Sequence, residues 1–268
     1  MTEQLRQLLA ARIRHQDIPL FGVAPADRWN TAPFEPWVPK EFRPRSIYPE
    51  CESVIVIGYP ISLPVIETTP SIYYHEMYKT VNTLLDQSAY RLSLFLNEQG
   101  HAAFPIPRDG YAGLSVLKER PMAAFSHKHA AYLAGLGTFG RNNTLLTKRF
   151  GPRVRFTSIF TTARMPYDGV LKEDLCIKCD RCVDMCPVKA IPGQDYPQGI
   201  IDKALCTGHH ERLYSRSISP CGVCVKVCPV GEDRKLYGRE DASIYQEKEG
   251  EPHAEGWKHV RSYGGKKG

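Results

Sequence analysis

No apolar run in this sequence of 268 residues approaches the length of about 18 residues that a membrane-spanning helix requires. The N-terminus is charged from the start and has no apolar core of a signal peptide. A large excess of one charge is also missing, since 35 Lys and Arg stand against 29 Asp and Glu, a formal net charge of +6. These absences predict a cytoplasmic protein without a membrane segment, and the modest charge is as consistent with solubility as with RNA binding.

Cysteine is nearly absent outside one segment of the chain. Of the nine cysteines, only Cys51 lies outside residues 176–228. A chain of this length buries enough apolar surface to fold without disulfides, and thiols stay reduced in the cytoplasm. The clustering therefore predicts that the other eight cysteines bind metal, whereas Cys51 is predicted to be a small buried apolar residue.

Apolar periodicity predicts a mixed helix and sheet domain over residues 1–168. It predicts helices over residues 2–16 and about 80–99, the second one ended by Gly100. Residues 53–58 and 153–160 predict strands, the first of them buried on both faces. Beyond a boundary near Asp168, residues 169–240 form a cysteine-rich module. Residues 241–268 are predicted to be an extended tail, unless Trp257 and Tyr263 hold it on a partner or on the body of the protein.

The cysteine spacing predicts two 4Fe-4S clusters. A run typical of bacterial ferredoxins, in which the fourth thiolate reaches the neighbouring cluster, is formed by Cys176, Cys179, Cys182, Cys186 and Pro187. A second, incomplete run is formed by Cys221, Cys224, Cys228 and Pro229, and Cys206 supplies its missing member. The crossed ligand sets are then Cys176, Cys179, Cys182 and Cys228 for one cluster, and Cys206, Cys221, Cys224 and Cys186 for the other. The alternative is a pair of four-thiolate zinc sites, which usually pair their ligands as separated CxxC units.

Residues 135–140 match GxGxxG, the dinucleotide-binding pattern, but lack its context. That motif needs a preceding strand, whereas residues 129–134 favour a helix. A helix C-cap followed by a turn fits better, with backbone passing close to another element or to a flat cofactor. The predicted cofactor-binding residues are Gly135, Gly137, Gly140, Arg141, Asn142 and Asn143. The last three offer hydrogen-bond donors, although capping and turn formation explain the asparagines equally well.

The order of these motifs resembles the epoxyqueuosine reductases and, more distantly, the reductive dehalogenases. The resemblance is carried by residues 20–25, 53–58, 134–146 and 150–155 and by the double-cluster block, and it extends from residue 1 to about 235. It implies an α/β (α+β) fold in which a nitroreductase-like core holds a base-off cobalamin and a ferredoxin-like module feeds it electrons. It also implies an external electron donor of the ferredoxin or flavodoxin type. Flavin is the chief competitor for cobalamin in such a core.

Two departures from the epoxyqueuosine reductase pattern concern the substrate. The acidic proton donor of those enzymes aligns with Pro121, and no helical repeat domain, which in many of them helps to grip tRNA, follows the clusters. The catalytic candidates are Asp109, Glu119 and His127, although His127 and His129 also suit a solvated helix face. The leading interpretation is an iron-sulfur oxidoreductase that passes single electrons to cobalamin and reduces a small organic or nucleoside substrate, tRNA included. The alternatives are a ferredoxin-like electron-transfer protein without catalysis and a tRNA epoxyqueuosine reductase.

Overall fold

The computed structural model describes residues 2–31, 38–109, 116, 122–245 and 250–262. The α-helices are α1 (Thr2–His15), α2 (Pro44–Ile47), α3 (Leu63–Glu67), α4 (Ile72–Glu98), α5 (His127–Leu133), α6 (Arg181–Asp184), α7 (Lys203–Tyr214), α8 (Val223–Lys226) and α9 (Pro252–Ser262). The strands are β1 (Leu20–Pro25), β2 (Ser53–Pro60), β3 (Ala103–Ile106), β4 (Thr138–Phe139), β5 (Leu145–Leu146) and β6 (Val154–Thr161). Short 3-10 helices span Ala26–Asn30, Lys40–Phe42, Glu232–Tyr237 and Ala242–Tyr245. Of the helices in the described ranges, none combines the length and the apolar character needed to cross a bilayer.

Four strands form a sheet in the order β1-β2-β6-β3, and every neighbouring pair is antiparallel. In the central pair, Val54 lies opposite Phe160 and Ile57 lies opposite Thr157. The predicted combination of helices and sheet is confirmed, and the antiparallel pairing makes it an α+β rather than a parallel α/β arrangement. The strands predicted over residues 53–58 and 153–160 are confirmed as β2 and β6.

β2 has no polar face because helices cover both sides of the sheet. Its side chains alternate: Ile55 and Ile57 join the core formed with α1 and α4, whereas Val54 and Val56 join the core formed with α5. The unbroken β-branched run in the sequence is therefore what two-sided burial requires. Cys51 lies in the second of these cores with no exposed surface, which confirms its predicted burial.

The helix predicted over residues 2–16 is confirmed as α1, and the one predicted over residues 80–99 begins earlier, at Ile72. Ser71 sets this earlier start, because its hydroxyl accepts a hydrogen bond from the Tyr74 backbone N–H at 3.1 Å. The first two turns carry tyrosines instead of aliphatic residues, so the apolar periodicity did not reveal them. Gly100 adopts the left-handed conformation (φ 83°) and ends the helix as predicted.

The predicted boundary residue is fastened to the sheet domain. The Asp168 carboxylate accepts hydrogen bonds from the Val23 backbone N–H at 2.7 Å and from Arg6 at 2.8 Å. The division of the chain at this point stays a prediction. An extended tail is wrong for residues 252–262, which form α9, because Trp257 packs against Val227 and Tyr245 and gives the segment an apolar anchor.

Candidate redox site

Four of the predicted ligands line one small cavity in the cysteine-rich module: Cys176, Cys179, Cys182 and Cys228. Lys178 and Asp180, the neighbours of Cys179, both adopt left-handed backbone conformations, with φ of 56° and 57°, which turns the chain sharply around this thiol. Burial raises the pKa of Cys182 to about 11 and that of Cys228 to about 12, so binding iron requires these thiols to release protons. Three thiols from one loop and a fourth from a distant segment around a cavity are what a cubane cluster needs.

The other four predicted ligands also lie together. Cys186 packs against Cys206 and Cys224. Burial, with smaller contributions from the neighbouring thiols Cys221 and Cys186, raises the pKa of Cys206 to about 11. Within the ranges that the structure describes, no three His, Cys, Asp or Glu side chains are grouped tightly enough to hold a single metal ion. The structure thus brings the eight predicted ligands together, and their crossed ligation of two clusters stays a prediction.

The glycines of the GxGxxG segment lie against protein backbone and side chains. Gly135 ends α5 in the left-handed conformation (φ 74°), and a Cβ added there would lie 2.1 Å from the carbonyl oxygen of Gly169. A Cβ at Gly137 would lie 1.9 Å from the carbonyl oxygen of Leu146, on the paired strand β5. At Gly140 it would lie 2.9 Å from the Asn142 side chain. The sequence explained these glycines by close approach of either another element or a flat cofactor. The structure shows close approach of another element.

The three polar residues that follow join the sheet domain to the cysteine-rich module. Arg141 forms ion pairs with Asp180 and Asp195. Asn142 donates a hydrogen bond to the carbonyl of Cys224 at 3.2 Å, and Asn143 donates one to the carbonyl of Gly199 at 2.9 Å. These side chains therefore hold the module in place, which corrects the expectation that they serve as open donors for a cofactor.

A large cleft separates α5 and the sheet domain from the module. It has a volume of about 520 Å³, and both Asn142 and Asn143 lie on its wall. Aromatic residues on the wall are Phe42, Tyr74, Tyr78, Phe125, Phe156 and Tyr196. Two thiols of the second group, Cys206 and Cys224, also line the cleft, so one set of predicted cluster ligands borders a space of the size of a small-ligand pocket.

Two of the three catalytic candidates line this cleft. The Asp109 carboxylate lies between Arg108 at 3.3 Å and Arg155 at 3.6 Å. His127 is only 8% exposed, which corrects the alternative of a solvated helix face. Its Nε2–H donates to the carbonyl of Pro107, its Nδ1 accepts from the Ser158 hydroxyl, and burial lowers its pKa to about 4. Both ring nitrogens of His127 thus form hydrogen bonds within the protein. The third candidate, Glu119, lies outside the described residues.

The sequence did not predict that Ser126, Lys128 and His129 form a polar cluster with Tyr196 on the cleft wall. Burial lowers the pKa of Lys128 to about 8, and its ammonium group donates to the carbonyl of Asn143 at 2.9 Å. His129, 3% exposed, bonds through Nδ1 to Ser126 and through Nε2 to the hydroxyl of Tyr196. Residues 126–129 stood out in the sequence, but nothing there indicated that Tyr196 of the module meets them.

A histidine of the module lies between the second thiol group and the cleft. Nε2 of His210 accepts a hydrogen bond from the Cys221 backbone N–H at 3.4 Å and lies 3.9 Å from the sulfur of Cys206. Burial lowers the pKa of His210 to about 4, so the ring is neutral at pH 7. This residue carried no signal in the sequence, because no apolar periodicity in residues 203–214 indicates which side of the helix is buried.

Comparison with known proteins identifies the chemistry of the module and the relatives of the chain. Residues 175–232 match the 4Fe-4S dicluster domain, which supports two 4Fe-4S clusters in this segment. The tetrachloroethene reductive dehalogenase of Dehalobacter restrictus is 30% identical over 197 residues, 66% of this chain and 32% of that protein. The epoxyqueuosine reductase of Synechococcus sp. is 25% identical over 195 residues, 68% of this chain and 56% of that protein. This chain is homologous to reductive dehalogenases and epoxyqueuosine reductases.

Solved structures extend the likeness over nearly the whole chain. A reductive dehalogenase whose structure suggests a mechanism for B12-dependent dehalogenation has a TM-score of 0.65 at 20% identity, over 95% of this chain and 36% of that one. A selenomethionine-labelled epoxyqueuosine reductase has a TM-score of 0.56 at 18% identity, over 98% of this chain and 78% of that one. These structures establish a shared fold, and the resemblance seen in the sequence is confirmed. The chain spans about a third of the length of the dehalogenases it matches, 32% for Dehalobacter restrictus.

Proposed function

We propose that this protein is an iron-sulfur oxidoreductase in which two 4Fe-4S clusters deliver single electrons to a cobalamin centre, for the reduction of an organic or nucleoside substrate. The observation that supports this proposal most directly is that Cys206 and Cys224 line the cleft. A cluster held by these thiols borders the cleft directly, which keeps the distance for electron transfer short. The names of the relatives support reduction, because they are reductive dehalogenases and epoxyqueuosine reductases, and one dehalogenase structure is described with a B12-dependent mechanism.

The position and the lining of the cleft suit a corrinoid. Its volume of about 520 Å³ lies within the roughly 300–1,000 Å³ of ordinary small-ligand pockets. The half-buried Tyr78 and Ile200 offer apolar surface to a macrocycle, and the polar groups that can contact its amide rim are Ser126, Thr144 and Lys203. When bound, cobalamin supplies a cobalt centre that exchanges single electrons.

Binding to the anaerobic, reconstituted protein tests this assignment. Added cob(II)alamin should give the electron paramagnetic resonance signal of the base-off form. Ala123→Trp, which fills the cleft, should abolish the signal, whereas Ala11→Trp on the exposed side of α1 should leave it unchanged. Flavin binding in place of the corrinoid, or equal binding by both variants, would contradict the proposal.

Two alternatives remain distinguishable. A tRNA epoxyqueuosine reductase is supported by the homologous enzymes of that name. A ferredoxin-like electron carrier is favoured by the exposed thiol of Cys179 and by Ile177, which is 66% exposed beside it. If the protein is an electron carrier, its clusters should be reduced and reoxidised while no corrinoid binds. If it is a tRNA enzyme, it should bind tRNA tightly, and this binding should weaken steeply with salt.

The exposed edge of the first thiol group is where we expect an external donor to deliver electrons. Cys179 and Ile177 lie on this edge, on the wall of the cavity that all four thiols share. A low-potential ferredoxin or flavodoxin is the class of donor that suits such clusters. Ile177→Lys should slow cluster reduction by that donor and leave reduction by dithionite unchanged. If the donor reduces the variant as fast as the wild-type protein, this route is contradicted.

A further inference from the structure

A histidine lies against one sulfur of the second thiol group. Cys206 and His210 are one helical turn apart on α7, so they share one face of that helix. Nε2 of His210 lies 3.9 Å from Sγ of Cys206. Among the described residues, no side chain forms a hydrogen bond with a sulfur of the first thiol group. This contact therefore distinguishes one predicted cluster from the other.

His210 also forms part of the cleft wall. Its ring is half-buried and lines the cleft together with Cys206 and Cys224. Within the described ranges, its Nδ1 has no hydrogen-bond partner in the protein. Solvent in the cleft can therefore donate a hydrogen bond to Nδ1. Because a neutral imidazole carries one proton, an acceptor role of Nδ1 keeps that proton on Nε2.

Two groups compete for Nε2 of His210. It lies 3.4 Å from the backbone nitrogen of Cys221 and can accept a hydrogen bond from it, or it can carry the proton and donate to the sulfur of Cys206. The bond from the backbone is long for two nitrogen atoms. Ligation of iron makes Cys206 a thiolate, and a hydrogen bond to an ionised acceptor is about twice as strong as one between neutral groups. The thiolate therefore favours the tautomer in which Nε2 is the donor.

A hydrogen bond to a ligand sulfur stabilises the reduced form of a cluster. Reduction adds one negative charge, which is spread over the sulfur atoms, and a donor aimed at one of them interacts more strongly with the reduced cluster. Hydrogen bonds to the sulfurs are accordingly among the factors that set the reduction potentials of iron-sulfur clusters.

We propose that His210 donates a hydrogen bond from Nε2 to the sulfur of Cys206 and thereby raises the reduction potential of the cluster that borders the cleft. His210 is a positioning residue, because it is not a ligand and acts through Cys206. The inference rests on the two clusters of the proposed function and is independent of its corrinoid and substrate.

Redox titration of the full reconstituted chain, followed by electron paramagnetic resonance, tests the inference. His210→Leu should shift the midpoint potential of one cluster to a more negative value and leave that of the other unchanged. His210→Gln should restore the potential, because its amide N–H can occupy the place of Nε2. The matched control is His209→Leu, at the neighbouring position of α7, which should shift neither potential.

Pulsed electron paramagnetic resonance of the wild-type chain labelled with ¹⁵N-histidine gives a second, direct measurement. The reduced cluster beside the cleft should show a weak coupling to one histidine nitrogen, and His210→Gln should abolish this coupling. A strong coupling, typical of a nitrogen bound to iron, would instead make His210 a ligand and overturn the proposal. Absence of any coupling would overturn it too.

Iron and sulfide counts separate failure of this inference from failure of the proposed function. If the wild-type chain assembles no clusters, the proposed function fails. If the clusters are complete and His210→Leu has the potentials of the wild-type chain, or His210→Gln is shifted as far as His210→Leu, the inference is overturned. Should His210→Leu not assemble its clusters, the coupling to labelled histidine in the wild-type chain decides.

Discussion

At the scale of single residues, the cleft holds an amine that titrates near neutral pH. This amine is Lys128, whose pKa is lowered to about 8, first by burial and second by the positive charge of Lys203. At pH 7 most of the side chain is therefore protonated, and a proton on its Nζ is easier to release than that of an exposed lysine. Reductive cleavage of an organic substrate consumes a proton, so we expect Lys128 to supply it.

Lys128→Met is expected to lower turnover about 100-fold or more at pH 7, because the cleft loses a positioned acid. In the wild-type protein the rate should fall as the pH rises through about 8, where Lys128 loses its proton. Lys172→Met, at an exposed position, is the matched control. Full activity of Lys128→Met with an unchanged pH profile would show that another group donates the proton.

His127 links α5 to the sheet and couples folding to pH. Burial lowers its pKa from 6.5 to about 4, so between these values the unfolded chain binds a proton that the folded chain does not. Its contribution to stability is therefore complete above about pH 6.5 and is lost as the pH falls, up to about 3 kcal/mol in acid. His127→Asn should flatten the decrease of the apparent melting temperature between about pH 7 and pH 5. A decrease as steep as that of the wild-type protein would contradict this assignment.

At the scale of elements, the hairpin of β4 and β5 joins the two halves of the molecule. Its glycines let α5 and both short strands approach within backbone contact, and residues 141–143 then bond to the module. This explains why the segment matches a cofactor motif letter for letter. Close approach of any neighbour selects glycine, whether the neighbour is a nucleotide or a carbonyl group.

Gly137→Ala is expected to destabilise the protein by about 1–3 kcal/mol, because the new Cβ would lie 1.9 Å from the carbonyl oxygen of Leu146. Gly169→Ala, whose Cβ would meet nothing within 4 Å, is the control. Denaturant unfolding of both variants checks the difference. Equal stability of the two would show that the hairpin adjusts at no cost.

At the scale of the whole molecule, the crossed arrangement makes each cluster depend on both cysteine runs. Cys228→Ala should damage the cluster that Cys176, Cys179 and Cys182 hold, because their shared cavity loses its fourth thiol. The wild-type chain should contain roughly eight iron and eight sulfide per chain, and the variant fewer. Spectroscopy that shows loss of only the cluster bound by Cys221 and Cys224 would refute the crossing.

Epoxyqueuosine in tRNA is expected to be reduced poorly or not at all, even with clusters and cobalamin in place. The reason is the expectation from the sequence resemblance that Pro121 aligns with the acidic proton donor of those enzymes. Pro121 lies outside the described residues. Single-turnover reduction of the modified tRNA stem loop checks this, with a halogenated phenol as the parallel substrate. Robust turnover of the tRNA would assign the donor role to Asp109, Glu119 or a cleft residue such as Lys128.

The sequence alone determined the features that depend on neighbours in the chain. Cysteine spacing is one of them, since turns of two or three residues aim successive thiols at one site. The β-branched run of β2 and the end of α4 at Gly100 are others, because periodicity and left-handed backbone are local properties.

Only the tertiary structure decided which distant residues meet. His129 contacts Tyr196 across 67 positions of sequence, and Thr69 bonds to the carbonyl of Cys221 across 152. Burial of His127 and Lys128, and with it their lowered pKa values, arises from the packing of α5 against β6 and the module. The same holds for α9, whose sequence is too polar to predict a stable helix until Trp257 packs against Tyr245 and Lys226. These contacts depend on how separate elements pack, which local patterns do not encode.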